Sequence, residues 1–139
     1  MIADTFETAV TWDQFAELDR VLRERVQAVM NEQCGTGLLS CRFTHVYPDG
    51  PAPYYTFIAP GREGELLEQW YAIKQVASDT LIEYGATITH HHAVGKLHRP
   101  WYEQQRPALF GEVLRAIKAQ LDPMSVLNPN VLIRRDDEA

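Results

Sequence analysis

Pro48-Asp49-Gly50-Pro51 stands between two runs rich in apolar, β-branched and aromatic residues, Leu38–Tyr47 and Tyr54–Ala59. Proline, aspartate and glycine in that order stop a strand and reverse the chain, so the two runs read as an antiparallel pair. A long apolar stripe of helical period lies on either side of this pair. From Thr11 the stripe is Phe15, Leu18, Leu22, Val26, Val29 and Met30, with acids and arginines opposite, and Gly35 and Gly37 end it. From about Glu63 to Tyr84 it is Leu66, Trp70, Ile73, Ala77, Leu81 and Tyr84, with Gly85 placed to terminate the helix. A helix that is apolar along one stripe must bury that stripe, and the hairpin between the two stripes offers the surface.

Phe6–Val10 reads as a first strand, with Phe6, Thr8 and Val10 on one face. Thr11-Trp12-Asp13-Gln14 has the form of a capping box, Thr11 accepting a free N–H and Gln14 reaching back. Ala86–Thr89 is a short β-type run. The order β-α-β-β-α-β predicts an α+β fold of the ferredoxin-like split βαβ kind, an antiparallel sheet with helices on one face. A third helix starts near Pro107, with Phe110, Val113, Leu114, Ile117 and Leu121 as its expected buried face, and Asp122-Pro123 stops it. The tail Met124–Ile133, broken by Asn128-Pro129-Asn130, is apolar enough to be expected to dock. At 139 residues the chain is expected to form one domain, 1–139, of which 101–139 is the C-terminal helix and tail. Tyr54 and Tyr55 are adjacent in a strand and therefore face opposite ways, one into the core and one toward a cleft.

A net charge of −6 and a pI near 5.3 argue against a nucleic-acid partner, because the phosphate backbone selects basic surfaces. No apolar run has the length of a membrane span, and no signal peptide is legible at the N-terminus, so a cytoplasmic protein is expected. The end, Arg134-Arg-Asp-Asp-Glu-Ala, is a charged tail and not a peroxisomal address. Cys34 and Cys41 fit no zinc or redox spacing, and Cys41, in an apolar run, is expected to be a reduced thiol.

The chemistry concentrates in Gly85–Arg99, which holds four of the five histidines, three of them consecutive at His90, His91 and His92. Titratable rings beside cations suggest work on an anionic substrate or cofactor, and a solvated basic turn is the plain alternative. In an extended segment His90 and His92 share a side and His91 faces away. His-x-His supplies two metal ligands, and no carboxylate or cysteine stands nearby at a recognised spacing, so no metal is expected. Acid–base work or hydrogen bonding to a cofactor fits imidazoles better. Lys96, His98 and Arg99 could hold a phosphate through charge-assisted hydrogen bonds, or be an ordinary surface turn. The chain has no glycine-rich phosphate loop, Rossmann fingerprint or Gly-x-Ser-x-Gly elbow, so it carries no module for binding a nucleotide by itself.

Thr87-Ile-Thr-His-His-His-Ala-Val-Gly-Lys-Leu97 resembles the triple-histidine signature of the alkylglycerone-phosphate synthase family, FAD proteins of the vanillyl-alcohol-oxidase group. The resemblance covers nearly the whole chain. Phe6-Glu-Thr-Ala-Val-Thr-Trp-Asp13 is similar to the start of that family's C-terminal region, Cys41-Arg42-Phe-Thr44 and Tyr47 to its central strand, and Asp122-Pro123 through Val131-Leu132-Ile133 to its closing segment. Leu127-Asn-Pro-Asn130 is shared with many FAD-linked oxidases, such as D-lactate and glycolate dehydrogenases, which carry Gly-Glu-His-Gly where this chain has His90-His91-His92-Ala93.

The resemblance implies the substrate-binding cap of an FAD enzyme whose FAD-binding domain, the partner of this one, lies upstream. The implied activity is exchange of acyl for alkyl on dihydroxyacetone phosphate in ether-lipid synthesis. It implies Tyr54 as proton donor and acceptor and His90, His91 and His92 as catalytic. It also implies His91, His92, Asn128 and Asn130 as facing the FAD and Pro129–Ile133 as shaping the site. With the cations read above, Lys96 and Arg99 would hold a small phosphorylated or lipid substrate. Ala93 stands where the family has glycine and Asn130 where it has arginine. A 2-hydroxy-acid dehydrogenase that keeps the FAD is the alternative activity, and a stand-alone ferredoxin-like binding module is the alternative class. Expressed without its cofactor domain, the chain would expose the cofactor-facing surface, which leaves a homo-oligomer open.

Overall fold

The computed structural model describes residues 1–134, and the charged tail from Arg135 lies outside the described residues. The elements are β1 (Ile2–Glu7), α1 (Trp12–Cys34), β2 (Leu38–Val46), β3 (Pro51–Ala59), α2 (Leu66–Glu83), α3 (Arg99–Gln105) and α4 (Ala108–Leu121). Packing divides them into a first unit, Met1–His92, and a second that begins at Ala93.

In the first unit β3 is the middle strand of an antiparallel sheet of order β1-β3-β2. Its odd positions Tyr55, Phe57 and Ala59 are fully buried under the helices, while Ile58 on the opposite face is exposed. The apolar stripes of α1 and α2 close over this face, and Leu18, Leu22, Val26, Met30, Ile73 and Leu81 lose essentially all contact with water. Each side chain of that size contributes about 1.5–3 kcal/mol relative to exposure. Polar groups fix the seams. The Tyr55 hydroxyl donates to Asp19 of α1 at 2.9 Å, and its ring stacks on Phe6 at 4.8 Å between centroids. Trp70 Nε1 donates to Asp4 at 2.8 Å, and the buried Lys74 ammonium donates to the Thr5 carbonyl at 2.6 Å with Asp4 at 3.3 Å.

The expected α+β plan, an antiparallel sheet with both long helices on one face, is present, and its details differ in four places. β1 begins at Ile2 rather than Phe6, because Ile2↔Ala59 through Glu7↔Tyr54 all pair in register. The chain still runs beside β3 past Glu7, with Thr8 N–H on the Pro53 carbonyl and Val10 N–H on that of Pro51, but the two prolines return no N–H and the ladder ends. Ala86–Thr89 does not become a fourth strand; Thr87 makes one backbone bond, N–H to the Ala9 carbonyl at 3.1 Å. Thr11 sits at the N-cap of α1 with no side-chain cap bond, so the capping box is not formed. Gly35 and Gly85 do adopt the left-handed conformation (φ 79° and 67°) that ends a helix where a side chain would be strained. Cys34 and Cys41 are both free thiols.

The second unit adds a short helix the pattern did not announce, α3, with Pro100 in its first turn, where a missing N–H costs nothing. α4 forms on the expected stripe and ends at Leu121, but that stripe is not buried: Phe110, Val113, Ile117 and Leu121 are 48–77 % exposed. Periodicity reports that a helix has an apolar face; it does not supply the surface that covers it. Asp122 ties the following turn by accepting Val126 and Leu127 N–H, each at 2.9 Å.

Candidate functional site

The sheet face away from the helices carries the site, and strand parity decides what stands on it. Along β2 the pairs Leu38↔Ile58, Ser40↔Thr56 and Arg42↔Tyr54 put even-numbered residues on that face. Unbroken alternation would turn His45 toward the helices. A register shift between Phe43 and His45 inserts one residue, and His45 pairs with Ala52. A bulge flips the faces beyond it, so His45 joins Arg42 and Tyr54 on the open side. Thr44, the inserted residue, donates its hydroxyl to the Ala52 carbonyl at 3.1 Å.

The histidine turn reaches the same face from the other edge. After Gly85, Ala86 and Ile88 are buried, and Thr87 is held to β1's continuation. The Thr8 hydroxyl donates to the Thr87 carbonyl at 2.6 Å, and Ala9 N–H donates to the Thr87 hydroxyl at 2.8 Å. This lays Thr89–His92 over Glu7. The Glu7 side chain, 2 % exposed, presents Oε1 to the backbone N–H groups of His90 (3.1 Å), His91 and His92, and Thr89 Oγ1 donates to it at 3.3 Å. Burial pushes the Glu7 carboxyl up. The N–H donors of His92, His91 and His90 together outweigh burial and hold the group below the ordinary glutamate value, ionised at neutral pH. One buried carboxylate thus fixes three consecutive histidine backbones.

The rings that this positions form a connected group. His91 Nε2 lies 2.8 Å from His45 Nδ1, and His90 Nε2 lies 3.3 Å from the Tyr47 hydroxyl. His45 stacks on Tyr47 at 5.7 Å and 11°, and His90 meets His91 edge to face at 4.2 Å. Burial, and then the neighbouring His91 and His45, lower the His90 pKa against the raising effect of Glu7, so this ring is neutral at neutral pH.

Tyr54 stands in the middle of the row Glu7–Tyr54–Arg42. Its hydroxyl donates to Thr5 Oγ1 at 3.1 Å, the His92 ring meets it at 5.5 Å and 83°, and the Arg42 guanidinium lies 4.8 Å over its ring. Tyr54, His90, His91 and His92, expected together from sequence, are therefore on one side of the sheet. Sequence reasoning missed Glu7, His45 and Arg42. Glu7 was invisible as a lone acid in a strand, and His45 needs a bulge to reach the face. Arg42 had a readable signal, the same parity as Tyr54 across a hairpin.

Lys96, Arg99, Asn128 and Asn130 belong to the second unit. Lys96 is exposed. Arg99 Nη1 donates to the Asn130 carbonyl at 2.6 Å, tying the start of α3 to the tail. Asn128 and Asn130 adopt positive φ (46° and 61°), and Val131 N–H returns to the Asn128 carbonyl at 3.2 Å.

Residues 1–132 match the family described as FAD linked oxidases, C-terminal domain. An alkyldihydroxyacetonephosphate synthase of Caenorhabditis elegans is 35 % identical over 130 residues, which are 91 % of this chain and 22 % of that protein. The glycolate oxidase subunit GlcD of Bacillus subtilis is 32 % identical over 97 residues, 69 % of this chain and 20 % of its own length. A solved structure of an alkyldihydroxyacetonephosphate synthase shares the fold. It has a TM-score of 0.63 at 21 % identity and covers 91 % of this chain and 20 % of that one. The chain spans about one fifth of the length of the curated relatives it matches.

Proposed function

This chain belongs to the FAD linked oxidase C-terminal domain family, and we propose that it is the substrate-side part of a flavoenzyme that exchanges an acyl for an alkyl group on a phosphorylated ketone ester, as an alkyldihydroxyacetonephosphate synthase does. The observation that carries the reading is the Tyr54 phenol and the His92 ring meeting at 5.5 Å on the sheet face opposite α1 and α2.

The residues present fit the ring end of FAD and not its pyrophosphate. The face opposite α1 and α2 offers a phenol and imidazoles, whereas the turn Gly61–Gly64 that enters α2 carries Glu63 and Glu65 beside it, charges that repel a pyrophosphate. When bound by polypeptide upstream, FAD supplies the electron-accepting ring beside which the substrate carbon reacts. The chain's own residues supply proton management. Tyr54 holds a proton that it now donates to Thr5 Oγ1 and can pass to a leaving group or take from an incoming alcohol. His92 closes one side of that phenol. His90 bonds Tyr47 and His91 bonds His45, two hydrogen-bonded pairs brought together by ring contacts, and the neutral His90 ring can accept as well as donate. Arg42, exposed beside Tyr54, offers a cation to an anionic substrate on the same face. Lys96 and Arg99 remain candidates for the substrate's phosphate, and Asn128 and Asn130 for the cofactor.

A second reading, FAD-linked oxidation of a 2-hydroxy acid, draws on the similarity to GlcD. The two separate in one experiment on the intact flavin-loaded enzyme. Acyl-for-alkyl exchange leaves the flavin spectrum oxidised after anaerobic addition of the acylated ketone phosphate and a long-chain alcohol. A lasting bleach by a 2-hydroxy acid establishes the oxidase instead.

A further inference from the structure

We propose that His45, His90 and His91 form a three-imidazole site for a divalent transition-metal ion of the zinc type. One ring nitrogen from each lies within 4.8 Å of the others. The three come from two separate elements, the β2 bulge and the turn after α2, and neither is free to drift. The bulge is locked by the Thr44 hydroxyl on the Ala52 carbonyl, and the turn by Glu7 beneath the His90 and His91 backbones. Ligands held before the ion arrives do not have to be ordered by it.

The nitrogens are also disposed as ligands. His90 Nε2 faces the Tyr47 hydroxyl at 3.3 Å, and His90 Nδ1 is buried with no hydrogen-bond partner among the described residues. A proton on Nε2, given to Tyr47, leaves a bare lone pair on Nδ1, which is how a second-shell partner prepares a metal-binding histidine. His91 Nε2 and His45 Nδ1 are 2.8 Å apart, sharing one hydrogen bond. Two imidazoles on one tetrahedral ion, each about 2.0–2.1 Å from it, have nitrogens about 3.3 Å apart. The pair therefore has to open by about half an ångström, and both side chains are exposed and able to turn. A donor set of imidazoles alone selects zinc, copper or nickel over magnesium or calcium, whose ligands are oxygens. With three protein ligands and two of them at the surface, a fourth position stays open to water.

The inference draws on rings that the flavin reading also uses, but its test stands apart from that reading, because metal binding is measured on this chain without FAD or substrate. The test is a calorimetric titration of the purified full chain with zinc chloride, with the melting temperature recorded alongside. The expected result is one Zn²⁺ per chain and a rise in melting temperature, neither reproduced by Mg²⁺. His45→Gln and His91→Gln should each weaken Zn²⁺ binding by at least about tenfold while circular dichroism stays unchanged. Absence of stoichiometric uptake, or uptake that survives His45→Gln at full affinity, overturns the proposal and leaves these rings a hydrogen-bonded cluster only.

Discussion

Glu7 Oε1 accepts the His90 backbone N–H at 3.1 Å across 83 residues of chain, and the N–H groups of His91 and His92 converge on the same oxygen. A carboxylate sunk beneath a turn in this way acts as its clamp. Glu7→Ala leaves three inward N–H groups without an acceptor, at an expected cost of about 3 kcal/mol. Glu7→Gln keeps the shape and loses the charge, at about 1 kcal/mol. Urea unfolding of both variants checks the order, and the histidine turn should lose hydrogen-exchange protection in the alanine variant first.

The adjacent tyrosines are expected to separate structure from function. Tyr55→Phe removes the bond to Asp19 inside the core and should cost about 1 kcal/mol with turnover retained in the intact enzyme. Tyr54→Phe removes a partly buried hydroxyl that is bonded only to another side-chain hydroxyl, should cost less than that in stability, and should abolish turnover. Thermal melts and steady-state rates on the two variants provide the comparison.

Asp4 sets an acid limit to stability. Burial raises its carboxyl, and the Trp70 indole, the Thr5 backbone and the Lys74 ammonium together bring it below its ordinary value of 3.8. A depressed folded-state value means the stabilisation is complete above that ordinary value and is lost as pH falls through the lower one. Wild-type stability should therefore fall steeply below about pH 4. Asp4→Asn should remove part of that fall and destabilise the protein by about 2 kcal/mol at pH 7, leaving Lys74 buried against the Thr5 carbonyl alone. Denaturation midpoints from pH 2 to 7 give the slope.

The open stripe of α4 predicts self-association of the isolated chain. Phe110, Val113, Ile117 and Leu121 are all at least 48 % exposed. Val113→Glu with Ile117→Lys should lower the apparent mass in sedimentation while moving the melting temperature little, since neither side chain fills a core.

How much of this could be read in the chain follows from what each pattern encodes. Two stripes of period 3.6 and a Pro-Asp-Gly-Pro turn were enough for the long helices and the hairpin, and strict alternation placed Tyr54 and Tyr55 on opposite faces. Alternation fails at a bulge, and Phe43-Thr44-His45 carries no mark of one, so the histidine from β2 was not counted with the three after α2. Glu7 looked like any strand-end acid because its partners are backbone groups more than 80 residues away. Ala86–Thr89 has strand composition, yet the Thr8 and Thr87 side chains take bonds that a ladder would have used. The α4 stripe was legible and its lack of cover was not, because cover is a property of the rest of the protein.

The most direct test is single-turnover kinetics of the intact, FAD-loaded enzyme carrying Tyr54→Phe. The account predicts an unchanged flavin spectrum and substrate binding with the chemical step lost by about 10²–10⁴-fold, the contribution of a positioned proton donor. A Tyr54→Phe enzyme that turns over at the wild-type rate would contradict it.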